Sequence, residues 1–332
     1  MAWPLFELLA QTLRRQQAEE PLSGEAIPSF EVFTNEESAT LALPPQVFRD
    51  ILTTGSLEPH FHYRRFYRAK RDGRWREIAE PDAKLKKLQH AIIRRYLTTE
   101  QPHPAALAYQ AGRSTADHVW RHAGAAVIIL ADIQDFFPNT HAVRVEQWWR
   151  QRVDDDTARV LTVLTTDRDG LPQGAPTSPG LSNLVNRDLD TRLANLAALA
   201  GARYSRYCDD LAFSWSVGAA PPAGFDVRVR AILSEFGYPL HPHKGWRVYS
   251  REEEPEITGA ILTRHGGVRL PARLRDIMRK LARSRDPHDR DRLAGYTGYA
   301  KMMTRPPHAR GISPPPTSPA NPSPPGDDAI PF

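Results

Sequence analysis

The stretch Tyr204-Ser205-Arg206-Tyr207-Cys208-Asp209-Asp210-Leu211-Ala212-Phe213-Ser214-Trp215 restricts the fold more than any other part of the chain. Its flanks, rich in aromatic and apolar residues, read as two strands, with Cys208-Asp209-Asp210 as a tight hairpin tip. Adjacent carboxylates repel, so a folded chain gains nothing from the pair unless positive charge sits against it. Upstream, the β-branched run from Val127 to Leu130 reads as a buried strand that carries Asp132 at its C-terminal end. A hairpin packed beside that strand brings Asp132, Asp209 and Asp210 together. Oxygen-only ligands favour Mg²⁺, or Mn²⁺, over zinc. Mg²⁺ is usually held by one or two carboxylates plus substrate phosphates, and two such ions serve phosphoryl transfer. A pair of ions is therefore the expected positive group. The competing reading is that Asp209-Asp210 caps a turn, since Asp is favoured there.

Charge distribution supports a polyanion partner. The 332-residue chain has net charge +5 and a pI near 9.4. Its cations cluster: residues 64–97 carry 12 Lys/Arg against four acids, and residues 264–292 carry ten against four. Within the first block Leu85, Leu88, Ile92 and Tyr96 fall at helical spacing. In the second, Pro271 suits a helix start, followed by the apolar stripe Leu274, Ile277, Met278, Leu281. Two basic helical blocks around an acidic centre suit the walls of a phosphate-backbone channel. The single cysteine, Cys208, excludes an internal disulfide, and a reduced compartment is the simplest reading. No run has the roughly 20 apolar residues of a membrane span, and Leu5, Leu8, Leu9 and Leu13 fit a short amphipathic helix better than a secretion signal. A cytoplasmic, membrane-free protein is expected. From Pro306 onward, ten prolines in 27 residues predict a disordered tail.

"RYCDDLAFS" fills the Tyr-x-Asp-Asp pattern of reverse transcriptases and resembles its retron-type version. "LADIQDFFPN" resembles the family's first catalytic block, and "GLPQGAPTSPGLSNLVNRDLD" is similar to the block between the two. "YRAKRDGRWREIAEPDAKLKKLQHAI" resembles the fingers block, and "YQAGRSTADHVWRH" the Gly-Arg-Ser segment after it. The order is the family's, with Asp132 lying 77 residues before Asp209, and the resemblance covers about 60 to 300. Of the retron Asn-Ala-x-x-His segment only His122 is matched, within His118-Val119-Trp120-Arg121-His122. Ile257-Thr258-Gly259 is close to the retron Val-Thr-Gly, and His241 stands where an Asn is usual.

The resemblance implies an α+β right-hand polymerase fold with fingers, antiparallel palm sheet and helical thumb. The domains expected are an N-terminal helix and connector over 1–45, fingers with part of the palm over 46–125, palm over 126–265 (with a fingers block around 165–182), thumb over 266–305 and the tail over 306–332. It implies that Asp132 and Asp209 are the main metal ligands, supported by Asp210 and the Ile133 carbonyl. Phe137 is the expected gate against a ribose 2′-hydroxyl; the rival reading, that Phe136 and Phe137 are simply core aromatics, bears more on Phe136. Gln173 is expected at the nascent base pair, Lys70 and Arg76 at the triphosphate, and Lys244 as general acid for pyrophosphate. His122, Arg273, Arg279 and Lys280 are the expected RNA contacts. Cys208 receives no chemistry, and His118 with His122 lacks a third ligand for zinc. The implied reaction is RNA-templated DNA synthesis primed from a 2′-hydroxyl of a companion non-coding RNA. Such systems resemble anti-phage modules that use a separate effector protein, an expectation carried by family analogy alone. The rivals are another bacterial reverse transcriptase (group II intron-like or defence-associated), a non-catalytic RNA-binding scaffold, and a primer-independent or template-independent nucleotidyl transferase.

Overall fold

The computed structural model describes residues 43–306, apart from 70–72, 74 and 243. The expected N-terminal helix and the Pro-rich tail fall outside the described residues, as does Lys70. Helix α1 (Pro45–Thr54) begins with proline, where a missing N–H costs nothing, and ends at Gly55 in the left-handed conformation. A hairpin follows, β1 (Tyr63–Ala69) paired antiparallel with β2 (Trp75–Pro81). Asp82 then caps α2 (Ala83–Ile92) by accepting from the Lys84 and Leu85 amides. The expected stripe is present, since Leu85, Leu88 and Ile92 are buried, and α2 runs on into one π-type turn, Ile93–Leu97. Helix α3 (Thr115–Arg121) starts with a Ser114–Asp117 capping box and leads to β3 (Val127–Asp132).

Three helices come next: α4 (Ala142–Arg150), α5 (Asp155–Thr165) and α6 (Ser178–Val185). With α1 and α2 they enclose one apolar cluster that includes Ile51, Leu85, Trp149, Leu161 and Leu181. After α7 (Arg187–Leu199) the chain makes β4 (Arg203–Tyr207), β5 (Asp210–Trp215), α8 (Phe225–Glu235) and β6 (Arg247–Ser250).

The central sheet has the order β4–β5–β3–β6, every neighbour antiparallel. Both faces are covered. Ile129, Ala131, Leu211 and Phe213 pack against α7 and α8 through Leu189, Leu193, Phe225 and Val229. Ile128, Leu130 and Ala212 face the other way, toward Ala116 and Val119 of α3 and a small sheet. That sheet is β7 (Glu256–Ile257), β8 (Ala260–Leu262) and β9 (Val268–Arg269). A strand buried on both faces needs apolar residues at successive positions, so Val127 to Leu130 is unbroken. Each such side chain contributes roughly 1.5–3 kcal/mol on burial. Helices α9 (Ala272–Arg283) and α10 (Pro287–Thr304) close the described chain. They reach the centre through α3, where Trp120 Nε1 donates to the Met303 carbonyl at 2.8 Å. Among the described residues no helix is long and apolar enough to cross a membrane.

Candidate active site

Register fixes the carboxylates. Asp132, the last residue of β3, lies opposite Asp210, the first of β5. Tyr207 pairs with Asp210, so the turn holds two residues, Cys208 and Asp209. The expected tip thus loses Asp210 to the strand. The Ile133 amide donates to the Asp209 carbonyl at 3.0 Å, and the His241 amide to the Asp132 carbonyl at 2.8 Å. These bonds tie the ends of β3, the turn and the segment after α8 to one another.

The turn is held from below. Cys208 has φ +60°, a conformation that costs a non-glycine residue roughly 1–3 kcal/mol. Arg206 Nη1 donates to the Cys208 carbonyl at 3.1 Å. The Arg206 guanidinium is fully buried and meets both oxygens of buried Asp190, at 2.8 and 2.6 Å. Asp190 also accepts from the Tyr204 hydroxyl at 2.8 Å, and Arg206 lies over the Phe136 ring. Phe136 is accordingly core, 2% exposed, as expected.

Like charges crowd the site. Burial, followed by the charges of Asp209 and Asp132, pushes the Asp210 carboxyl up to about 7, with Arg247 and Lys244 opposing. Excess negative charge presented by oxygen donors alone fits a hard divalent cation. Among the described residues no three His, Cys, Asp or Glu side chains form a group able to hold a metal unaided. A cation here would draw its remaining oxygens from substrate or water.

A cavity of about 640 Å³ opens beside Asp209 and Asp210; Arg76, Tyr109, Phe137 and Gln173 are also among its lining, and Asp132 is not. The expected substrate residues Arg76, Phe137 and Gln173 are thus brought together. Gln173 is set by its loop: its carbonyl accepts from the Ala79 amide at 2.9 Å, and Ser178 Oγ donates to the Pro172 carbonyl at 2.7 Å. Gly174 has φ +134°, and an added Cβ would lie 2.6 Å from the Ala79 carbonyl oxygen, so β2 and this loop touch only because no side chain intervenes. Gln173 Oε1 is shut off from solvent without a hydrogen-bond partner among the described residues, as an acceptor waiting for a donor would be. Arg76 sits directly opposite Arg68 across the β1–β2 hairpin, a like-charge pair that an anion would relieve.

The remaining expected residues divide. Lys244 is exposed, its amide bonded to His241 Nδ1 at 3.2 Å, and its charge reaches Asp210 although it does not line the cavity. Arg273, Arg279 and Lys280 lie on α9, outside the cavity lining. Arg273 forks onto Glu256, with Nη1 2.6 Å from Oε2, and borders a separate cavity of about 660 Å³; Arg279 pairs with Asp276, and Lys280 is exposed. His122 requires a correction. It is fully buried, its ring nitrogens 2.7 and 2.8 Å from the Ser205 and Ser214 hydroxyls, so it ties α3 to β4 and β5 and offers RNA nothing. Burial holds its pKa well below the usual value and brings that of buried His118 down to about 3. Sequence reasoning missed Asp190, Arg206 and Tyr109. The available signal was Arg206 alternating in phase with Tyr204 on the inward face of a strand.

Residues 68–253, more than half of the chain, match the reverse transcriptase (RNA-dependent DNA polymerase) family. The chain belongs to that family. Its α+β fold is therefore of the right-hand polymerase type, and the antiparallel central sheet is the one that bears the carboxylates. Retron Mx162 reverse transcriptase of Myxococcus xanthus is 32% identical over 249 residues, 66% of this chain and 51% of that protein. Retron Mx65 reverse transcriptase of the same organism is 32% identical over 272 residues, 73% and 61% of the two chains. Retron Ec86 reverse transcriptase of Escherichia coli is 34% identical over 158 residues, 46% and 49%. The chain thus spans about half to three-fifths of the length of these relatives. A solved telomerase from Candida albicans superposes with a TM-score of 0.45 at 10% identity, over 72% of this chain and 50% of that one, too loose a likeness to carry weight.

Proposed function

We propose that the chain is a retron-type RNA-directed DNA polymerase that copies part of a companion non-coding RNA into single-stranded DNA. The observation that carries this is the register placing Asp132 opposite Asp210, with Asp209 in the adjoining turn beside a cavity shared with Phe137, Gln173 and Arg76. Residues 46–125 act as fingers with part of the palm, 126–265 as palm and 266–305 as thumb. Asp132 and Asp209, helped by Asp210 and the Ile133 carbonyl, hold two Mg²⁺ ions, with Mn²⁺ able to substitute. When bound, such ions lower the pKa of the attacking hydroxyl and stabilise the leaving oxygen. Arg76, joined by Lys70, neutralises the triphosphate of the incoming dNTP. Gln173 donates to or accepts from the nascent pair, and the Phe137 ring excludes a ribose 2′-hydroxyl. Lys244, whose charge reaches Asp210, protonates the departing pyrophosphate. Arg273, Arg279 and Lys280 hold RNA backbone, Arg273 by exchanging Glu256 for phosphate.

The reading extends to priming from an RNA 2′-hydroxyl, a branched RNA–DNA product, a cytoplasmic setting and a separate effector protein in anti-phage defence. The test is the nucleic acid that copurifies from the native locus, run on a denaturing gel before and after RNase, DNase and a 2′,5′-debranching enzyme. A short DNA joined to RNA, shifted by debranching and absent with Asp209→Asn, is the expected result. RNA without linked DNA moves the assignment to another class of reverse transcriptase. A purified chain that also fails to extend a primer on RNA with Mg²⁺ or Mn²⁺ is a scaffold, and the proposal falls.

A further inference from the structure

Tyr109 has no part in the roles above, yet its geometry is unusual in three ways. Its φ is +61°, a true outlier for a bulky residue. Its ring is 49% exposed in the wall of the carboxylate cavity. It also faces Phe137, with ring centroids 6.1 Å apart and planes tilted by 41°. Its hydroxyl donates to Cys208 Sγ at 3.1 Å. Cys208 is itself at φ +60° and immediately precedes Asp209. Two strained residues, 99 positions apart in sequence, are therefore joined by one hydrogen bond at the cavity edge.

The backbone that presents Tyr109 is fixed on both sides. The Leu107 amide donates to the Arg206 carbonyl at 2.8 Å, and Asn183 Nδ2 on α6 donates to the Ala108 carbonyl at 2.7 Å. Strain of this kind persists where the surroundings over-determine it, and it concentrates at ligand clamps. The ring has the placement of a surface meant to be covered by a ligand.

We propose that Tyr109 is a specificity-determining residue. With Phe137 it forms a two-ring wall against which the sugar of the incoming nucleotide packs, and Cys208 Sγ holds the ring in position. The inference rests on the polymerase reading above. Its chemistry is simple. A deoxyribose offers the wall a C–H edge, whereas a ribose must bring a hydroxyl against two aromatic faces. The Tyr109 O–H is already donated to sulfur, so it has no proton left to offer the oxygen of that group.

The test uses the full chain on a DNA primer annealed to RNA, with Mg²⁺, comparing kcat/KM for dCTP and CTP opposite a templated G. Tyr109→Ala is expected to lower the dCTP/CTP preference by about tenfold, chiefly through faster CTP use. Tyr109→Phe and Cys208→Ala, each removing one weak hydrogen bond, are expected to lower it by roughly threefold. Cys208→Ser keeps an acceptor and should stay within about twofold of the parent. An unchanged ratio in all four variants, whatever happens to the absolute rates, overturns the inference and makes Tyr109 a structural residue. Incorporation of dCTP by the unaltered chain in the same assay keeps the polymerase reading independent of that result, and its absence overturns both. Should Tyr109→Ala fail to fold, the Phe and Cys208 variants decide.

Discussion

Removing Asp190 should separate the stability of the hairpin from its chemistry. Asp190 and Arg206 are both fully buried and joined by two hydrogen bonds of 2.8 and 2.6 Å. Asp190→Asn leaves the Arg206 guanidinium without water or counter-charge. Breaking one side of such a pair costs about 3–5 kcal/mol. Against a total stability of roughly 5–15 kcal/mol, that is a large fraction. At about 2–4 °C per kcal/mol, the melting temperature should fall by roughly 6–20 °C. The double variant Asp190→Leu with Arg206→Met removes both charges. Buried pairs replaced by apolar residues of similar volume are often neutral or better, so most of the lost stability should return.

Activity should not return with it. Arg206 Nη1 also holds the Cys208 carbonyl at 3.1 Å, and methionine cannot. The turn that carries Asp209 then loses the donor that pins it at φ +60°. A displacement of about 1 Å at a reacting group costs on the order of a hundredfold in rate. The assay pairs thermal unfolding with single-nucleotide incorporation on an RNA template. Recovery of both stability and incorporation in the double variant would refute a positioning role for Arg206. A loss under about 1 kcal/mol in Asp190→Asn would refute the buried-charge argument itself.

Two further outcomes follow from particular contacts. Gly174→Ala should lower both stability and incorporation, because the new methyl must displace the Ala79 carbonyl 2.6 Å away and separate β2 from the Gln173 loop; urea midpoints beside kcat would show it. His118 and His122 are kept neutral by burial, so the unfolded chain takes up protons first, below about pH 6.5. Their contribution is complete above that pH and is lost as pH falls toward 3, by up to about 1.4 kcal/mol per pH unit for each histidine. Asp210, raised, works with the opposite sign over about pH 4–7. His118→Phe, which keeps the ring against Tyr207, should therefore flatten the acid limb of a plot of melting temperature against pH.

Local periodicity was the legible part of the sequence. Val127 to Leu130 announced a strand with two buried faces, and Leu85, Leu88 and Ile92 announced one face of a helix, because each pattern is a statement about neighbours along the chain. The carboxylates were legible for a related reason: a strand ending in Asp132 and a hairpin around Asp209 can meet in few ways. Partners chosen across the fold left no such mark. Arg206 resembled any strand cation until Asp190, 16 residues earlier in the chain, met it inside the core. Arg273 read as a free phosphate contact, yet Glu256 is 17 residues away and pairs with it. His122 matched a motif in residue type, but type says nothing of exposure, and two serines on neighbouring strands had already claimed both of its nitrogens.

The same reasoning locates what is unusual about this site. Backbone strain is invisible to periodicity, and within the cavity lining it falls on Tyr109, Asp135, Cys208 and Thr258. Cys208 is gripped through its carbonyl by a buried guanidinium and through its sulfur by a cavity-facing phenol. The first contact is closed to substrate and stabilises the turn whether or not a nucleotide is present. The second lies in the cavity wall. A turn held by the guanidinium on one side and by the phenol on the other presents Asp209 at a fixed place. That arrangement accounts for a non-glycine residue tolerating a left-handed conformation where a glycine would have been less strained but unable to anchor the ring.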